Sequence, residues 1–270
     1  MTPTPPVPEL RVAILTALAA ETQAVLAHLA DVVPSLEDNV VVYRGWLSGA
    51  GTAVSVRVTE LGPGNVGTGI EAGKLTATHA ADILVFVGIA GALKDLAIGD
   101  VVAASEVAWI HRAKMEADEQ LDRPQVRPCT PELVQVARYT AQAGQWQNRL
   151  VDPRDPRPKA FVGQILSGEL LIKDAAVREE LSHRFSDALA VENEGYALVS
   201  AGTAAVKVLV VRGASDNADA EKSDSDQHAA ARSAGAFAAQ LLHDYLALRQ
   251  GLTTRQVQSD SAPEEGNLET

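Results

Sequence analysis

Apolar and β-branched residues recur along the chain in short runs: RVAILTA (11–17), NVVVYRGWL (39–47), VSVRVTEL (54–61), DILVFVGIA (82–90), DVVAASEVAWI (100–110), KAFVGQIL (159–166), ALAVENEG (188–195) and VKVLVVRG (206–213). Several are apolar at consecutive positions, as strands buried on both faces are. The second and third read as a hairpin joined by SGAG. Helical spacing predicts helices over 20–29, 66–79, 131–143, 174–185, 195–202 and 227–248, the first set off by Thr16 and the last by the polar SDSD. Strands alternating with helices, plus one hairpin, imply an α/β protein with a central mixed sheet covered on both faces. A Pro-rich leader (1–9) and a polar tail (251–270) lack the apolar content to fold, which leaves residues 10–250 as a single domain.

Composition narrows the picture. Hydrophobic residues make up 46% of the chain and aromatic ones only 4%, so the core is Ala, Val, Leu and Ile. A formal charge of −12 argues against nucleic acid as a partner. Cys129 stands alone, which excludes a disulfide framework, and the six histidines never fall at metal-helix spacing. No metal and no cofactor are expected. The longest apolar run, AADILVFVGIAGAL, is too short to span a membrane and contains Asp82. The first ten residues lack the regions of a signal peptide, so a cytoplasmic protein is expected. Between His111 and Lys159 the balance turns locally basic, with Arg112, Lys114, Arg123, Arg127, Arg149, Arg154, Arg157 and Lys159. This is either a solvated loop or a lid that meets an anionic part of a ligand.

The stretch ELGPGNVGTG (60–69) carries G-x-G-x-x-G at Gly62, Gly64 and Gly67, between a strand and a helix. A dinucleotide site would need an acid about 20 residues on, at the end of the next strand. That strand ends in FVGIAGA, and no acid follows until Asp95. The loop is better read as a tight turn whose backbone approaches a ligand, with Asn65 placed to cap the following helix. Three carboxylates sit past the ends of separate strands: Glu21, Glu194 and Asp216. Each alone is as readily a helix cap or dipole partner. Together they lie where strand ends converge on one crevice. Glu192, two residues before Glu194, is a secondary candidate.

VAILTALAAETQAV, VFVGIAGALKDLAIGDVV, AVENEGYALVSA and VVRGASDNAD, in this order and spacing, resemble signature stretches of the purine nucleoside phosphorylase and methylthioadenosine/S-adenosylhomocysteine nucleosidase superfamily. The likeness spans about 11–248. It implies a three-layer αβα sandwich, commonly oligomeric as a homodimer or higher, that cleaves the N-glycosidic bond of a purine nucleoside. Carried over by position, Glu21 resembles the acid that activates water. Glu194 resembles the carboxylate that grips the ribose 2′- and 3′-hydroxyls, with Asn193 beside it where the family usually has Met. Asp216, preceded by Ser215, resembles the acid at purine N7. SGELLI resembles the base-stacking segment, placing Leu171 and Ile172 against the ring, with Leu171 in place of a common aromatic. Ala90 and Gly91 of GIAGA, and Pro63 of the glycine loop, complete the implied pocket.

The chemistry agrees with that division of labour. Breaking a ribosyl–purine bond builds positive charge on the sugar and negative charge on the base, and water must be deprotonated on the opposite face, as in an inverting glycosidase. Asp216 must then keep a proton, which calls for desolvation or a like-charged neighbour. Arg212, four residues earlier, is expected to point elsewhere, towards Glu21. Phosphorolysis would need an arginine cradle. Val87 stands where the phosphorylases of the family commonly have Arg, and Glu21 would repel phosphate, so hydrolysis is favoured; Arg44 is the remaining candidate phosphate ligand. The basic 111–159 segment resembles that of phosphorylase-like effectors acting on adenine nucleotides, in which Lys114, Arg127, Arg157 and Lys159 would meet 5′-phosphates. A non-catalytic nucleotide sensor on the same fold is the further alternative.

Overall fold

The computed structural model of the chain describes residues 8–260, apart from 52, 79, 117–118, 152–156, 170–173 and 217–223. Twelve strands and six α-helices follow in chain order among the described residues. They are β1 (Leu10–Thr16), α1 (Ala19–Leu26), β2 (Leu29–Glu37), β3 (Val40–Leu47), β4 (Val54–Glu60), α2 (Asn65–Ala77), β5 (Ile83–Ala92) and β6 (Val101–Trp109). Next come β7 (Ala113–Glu116), β8 (Glu119–Asp122), β9 (Gln125–Pro128), α3 (Pro131–Ala143), β10 (Ala160–Ser167), α4 (Ala175–Arg184), β11 (Ala188–Glu192), α5 (Gly195–Ala201), β12 (Lys207–Asp216) and α6 (Asp224–Asp260).

The expected mixed sheet is present. Its order is β11-β10-β6-β12-β5-β1-β4-β3-β2, with β9 beside β6 and a further pairing of β11 with β5. β1 runs parallel to β4 and β5, and β12 parallel to β5, so the ends of these strands emerge on one side. The hairpin through SGAG is the antiparallel pair β3–β4. Helices α1 and α3 pack on α6, and α2 packs on α5, with α5 and α6 each also touching β5 and β12. The central strands are apolar without interruption because both faces are covered: Ile83 to Val87 and Leu209 to Val211 are buried throughout.

Small residues set how closely the helices approach. A Cβ on Gly213 of β12 would collide with the Ala230 backbone of α6. One on Gly235 of α6 would lie 2.7 Å from the carbonyl oxygen of Ala24 in α1. The alanine-rich face of α6 therefore seats directly on β12 and on α1, the helix that carries Glu21.

Four strands escape the hydrophobic pattern. β2 contains Pro34 and Asp31, the latter at φ 54°, and it lies at the sheet edge where a missing N–H is tolerated. Its turn to β3 places Asp38 and Asn39 at φ 48° and 66°, as a two-residue hairpin turn of right-handed twist requires. β7, β8 and β9 are four-residue pieces inside the basic segment, too short to give an alternation. At the other end, α6 runs to Asp260, past Gly251 where the composition turns polar.

Candidate active site

β5 is where the site is assembled. The Ile89 N–H donates to Glu21 Oε1 at 2.9 Å, and Arg212 Nη1 donates to the Ile89 carbonyl at 3.5 Å. The next residue, Ala90, accepts from Ser215 Oγ at 3.4 Å, and Gly91 stands opposite Asp216 in the sheet register. Three consecutive residues thus draw α1, β12 and the Glu21 and Arg212 side chains to one place. Asp216, 4% exposed, accepts from Ser215 Oγ at 2.8 Å.

Glu21 occupies the third position of α1, where its Oε2 accepts the unpaired helix N-terminal N–H groups of Ala17 (2.8 Å) and Leu18 (3.0 Å). The residue is 2% exposed. Burial pushes its pKa above the ordinary value, against the opposing Arg212 charge and the three N–H donors. Thr16 does not cap this helix; its hydroxyl pairs with Thr22 Oγ1, which also donates to Glu60.

Glu194 lies on the tight turn between β11 and α5. Its Oε1 accepts the Gly64 N–H at 2.8 Å, and its Oε2 accepts from Arg212 Nη2 at 2.9 Å. Burial raises its pKa too, with Arg212 opposing and the Glu192 charge adding to the rise. The Gly64 contact needs the backbone at φ 113°, ψ 151°, a region open to glycine. Glu192 builds the turn itself: its carboxylate accepts the N–H groups of Glu194 and Gly195 and forms an ion pair with Arg212.

Arg212 is the group that the sequence reading placed only partly. It turns away from Asp216 as expected, and its ion pairs are to Glu192 and Glu194. A β-bulge between Ala214 and Asp216 shifts the strand alternation, so the two side chains do not share a face. The guanidinium is 1% exposed and stacks on the Phe86 ring at 4.3 Å. Burial works to lower its pKa, but the charges of Glu192, Glu194 and Glu21 outweigh it and hold the pKa above the ordinary value. Arg212 also adjoins Glu21: both side chains come within 2.6 Å of the point a Gly88 Cβ would fill. Gly88 is therefore the space in which acid and arginine meet. A charge inside VLVVRGAS was the available signal, since a buried arginine must find carboxylates.

Of the other expected residues, Ala90 is buried and Gly91 half-buried within β5. Asn193 is half-buried, and its carbonyl accepts from the Asn65 side chain. Pro63 is exposed at the tip of the glycine loop. Leu171 and Ile172 lie outside the described residues. Asn65 does not cap α2, as the sequence suggested: Gly64 is the cap position, and the Asn65 side chain crosses to the Glu194 turn. Arg44 is not part of the site. It pairs with Glu37 through both Nε and Nη2, on the outer hairpin. Arg157 and Lys159 lead into β10 beside Asp100, roughly 25 Å of strand from Ser167. Ser167 is the end of β10 that adjoins Glu192.

A mixed sheet with buried carboxylates gathered at strand ends, two of them ion-paired to one arginine and three held by backbone N–H groups, is the framework of an α/β enzyme of the nucleoside phosphorylase type. Residues 11–247 match the family model of the phosphorylase superfamily, and the chain belongs to that family. It is 28% identical over 159 residues to a 5′-methylthioadenosine/S-adenosylhomocysteine nucleosidase of Baumannia cicadellinicola, covering 57% of this chain and 62% of that protein. It is 26% identical over 217 residues to the enzyme of the same name from Staphylococcus carnosus, covering 78% and 88%. Among solved structures it resembles an S-adenosylhomocysteine nucleosidase from Streptococcus pyogenes in complex with 5-methylthiotubericidin, at 24% identity and a TM-score of 0.70 over 88% of this chain and 96% of that one.

Proposed function

We propose that the chain hydrolyses the N-glycosidic bond of an adenine nucleoside with an uncharged or zwitterionic 5′ substituent, of the methylthioadenosine and S-adenosylhomocysteine kind, and releases free adenine. The observation that carries this reading is the gathering of three buried carboxylates around the end of β5: Glu21 and Asp216 at Ile89–Gly91, and Glu194 through Arg212, which also reaches Ile89.

Each group then has one task. Glu21 takes a proton from water as the water oxygen bonds to the anomeric carbon. Glu194, fixed by Gly64 and Arg212, accepts hydrogen bonds from the ribose hydroxyls and favours the positive charge that develops on the sugar. The carbon–nitrogen bond breaks with its electron pair passing to the purine, and Asp216 supplies a proton at N7. Arg212 lies against both buried carboxylates, Glu192 and Glu194, and its charge offsets part of their mutual repulsion. Each acid or base role of this kind contributes ~10²–10⁴ in rate.

Water is favoured over phosphate as the nucleophile because Arg212 is committed to carboxylates and Arg44 to Glu37. A nucleoside is favoured over a nucleotide by the charges around the glycine loop. Glu60 precedes it, and Glu169 Oε2 reaches within 3.7 Å of the Gly64 Cβ position, so the loop is flanked by carboxylates. Family likeness and the paired exposed Val66 and Ile70 on α2 also support a homo-oligomer; light scattering tests that.

The decisive experiment measures adenine release from methylthioadenosine, S-adenosylhomocysteine, adenosine, AMP and ATP, with and without phosphate. Release from the first two without phosphate is expected. Release confined to AMP or ATP, or dependent on phosphate, overturns the reading.

A further inference from the structure

We infer that Asn65 is a positioning residue: its side-chain amide fastens the glycine loop to the turn that carries Glu194, and through that turn it sets where the carboxylate meets its ligand. The inference rests on the reading of Glu194 as the ribose-binding group.

The amide is buried, 8% exposed, and every polar atom of it is engaged on the far side of the fold. Asn65 Oδ1 accepts the Ala197 N–H at 2.9 Å. Asn65 Nδ2 donates to the Asn193 carbonyl and to Ser167 Oγ, the latter at 3.3 Å. These partners fix the amide's orientation. A backbone carbonyl only accepts and a backbone N–H only donates, so oxygen must face Ala197 and nitrogen Asn193. Asn193 immediately precedes Glu194, and Ala197 lies in the first turn of α5 just after it. One side chain therefore holds the backbone on both sides of the carboxylate, while its chain neighbour Gly64 holds the carboxylate itself.

Ser167 extends the same link. Its hydroxyl also accepts the Tyr196 N–H at 3.3 Å, and it begins the SGELLI stretch. Asn65 thus ties together the loop, the Glu194 turn and the start of the segment expected to stack on the base. Glu192 braces the same turn from within and through Arg212 of β12, whereas Asn65 ties its backbone to α2. The exchange of one atom is informative. Aspartate at 65 keeps the acceptor for Ala197 but turns a lone pair towards the Asn193 carbonyl.

The test compares the parent with Asn65→Asp, Asn65→Ala, Glu194→Gln and the double variant Asn65→Ala/Glu194→Gln. The readouts are kcat/KM for adenine release from methylthioadenosine and amide hydrogen exchange over residues 193–198. Each Asn65 variant should lose at least about tenfold in kcat/KM, since Asp removes both Nδ2 bonds and Ala all three, and one lost buried hydrogen bond alone is worth roughly that. The double variant should be no slower than Glu194→Gln alone, because both changes act through one carboxylate. Exchange at 193–198 should rise in Asn65→Asp while the rest of the sheet stays protected. Multiplying losses in the double variant, or unchanged exchange at 193–198, would overturn the inference. A parent that releases no base sinks the functional reading instead, and the exchange result still decides whether Asn65 fastens the turn.

Discussion

Arg44 and Arg57 share Glu37 on the outer strands β2 to β4, and Arg212 shares Glu192 and Glu194 at the centre of the sheet. The outer side chains remain partly exposed, at 57%, 18% and 29% for Arg44, Arg57 and Glu37, whereas Arg212 and Glu192 are both 1% exposed. The chemistry is the same, yet the carboxylates answer oppositely. Hydrogen bonds from Arg44 and Ser35 hold Glu37 down to about 2. Burial pushes Glu194 above the ordinary carboxylate value although Arg212 touches it. Where water remains, a cation needs only to attract. In the core it must first offset the desolvation of its partners, and it does so incompletely. The outer network is read as serving the fold, and the inner one as the candidate for chemistry.

The contrast can be broken in several places. The largest effect is expected from Glu21→Gln, which keeps the shape of the inner cluster and removes its base. Adenine release should fall by ~10²–10⁴ with little change in the affinity for a non-hydrolysable analogue. A variant retaining parental turnover would show that Glu21 is structural. Next comes Arg212→Met, which strands Glu192 and Glu194 without their cation. Unfolding in urea should show a loss of about 3–5 kcal/mol, the cost of breaking a buried ion pair by removing one partner. A loss as small as that of a surface pair would equate the two networks.

Proton linkage separates them again. Glu21 must be ionised to accept a proton, and its pKa is raised by burial, so the acid limb of kcat/KM should lie above the ordinary 4.5. A limb at or below 4.5 would contradict the buried-base assignment. For stability the signs oppose. The raised Glu21 and Glu194 favour the fold fully below 4.5, and that contribution is lost as pH rises through their folded values. The depressed Glu37 favours the fold above 4.5 and is lost as pH falls towards about 2. The smallest effect is expected from Arg44→Met on the outer network: less than about 1 kcal/mol at neutral pH, diminished by salt. Denaturant midpoints at low and high ionic strength measure it, and a salt-independent loss of several kcal/mol would place Arg44 in the core instead.

The legible part of this molecule is local. Runs apolar at every position announced the central strands, because those strands are covered on both faces. The positions of Glu21, Glu194 and Asp216 after such runs, together with the signature stretches, placed the candidate carboxylates. The illegible parts have physical causes as well. β2 interrupts its own pattern with Pro34 and Asp31, which only an edge strand tolerates, so periodicity cannot report it. Asn65 reads locally as a helix cap, since a polar residue before a helix usually is one. Its partners are more than 100 residues away in the chain. Arg212 was visible as a charge in an apolar strand, but its direction depends on a bulge at Ser215 and on the missing side chain of Gly88.

What the sequence determined by itself is which apolar segments become the central strands and the helices between them, and which ionisable groups stand at their ends, because burial and backbone geometry act over neighbouring residues. The tertiary structure alone decided the pairing of those groups. Glu21, Glu192, Glu194 and Arg212 come from α1, β11, the turn into α5 and β12, and they meet only because the sheet is ordered and curled as it is. The raised pKa values of Glu21, Glu194 and Arg212 follow from that meeting and from the exclusion of water around it.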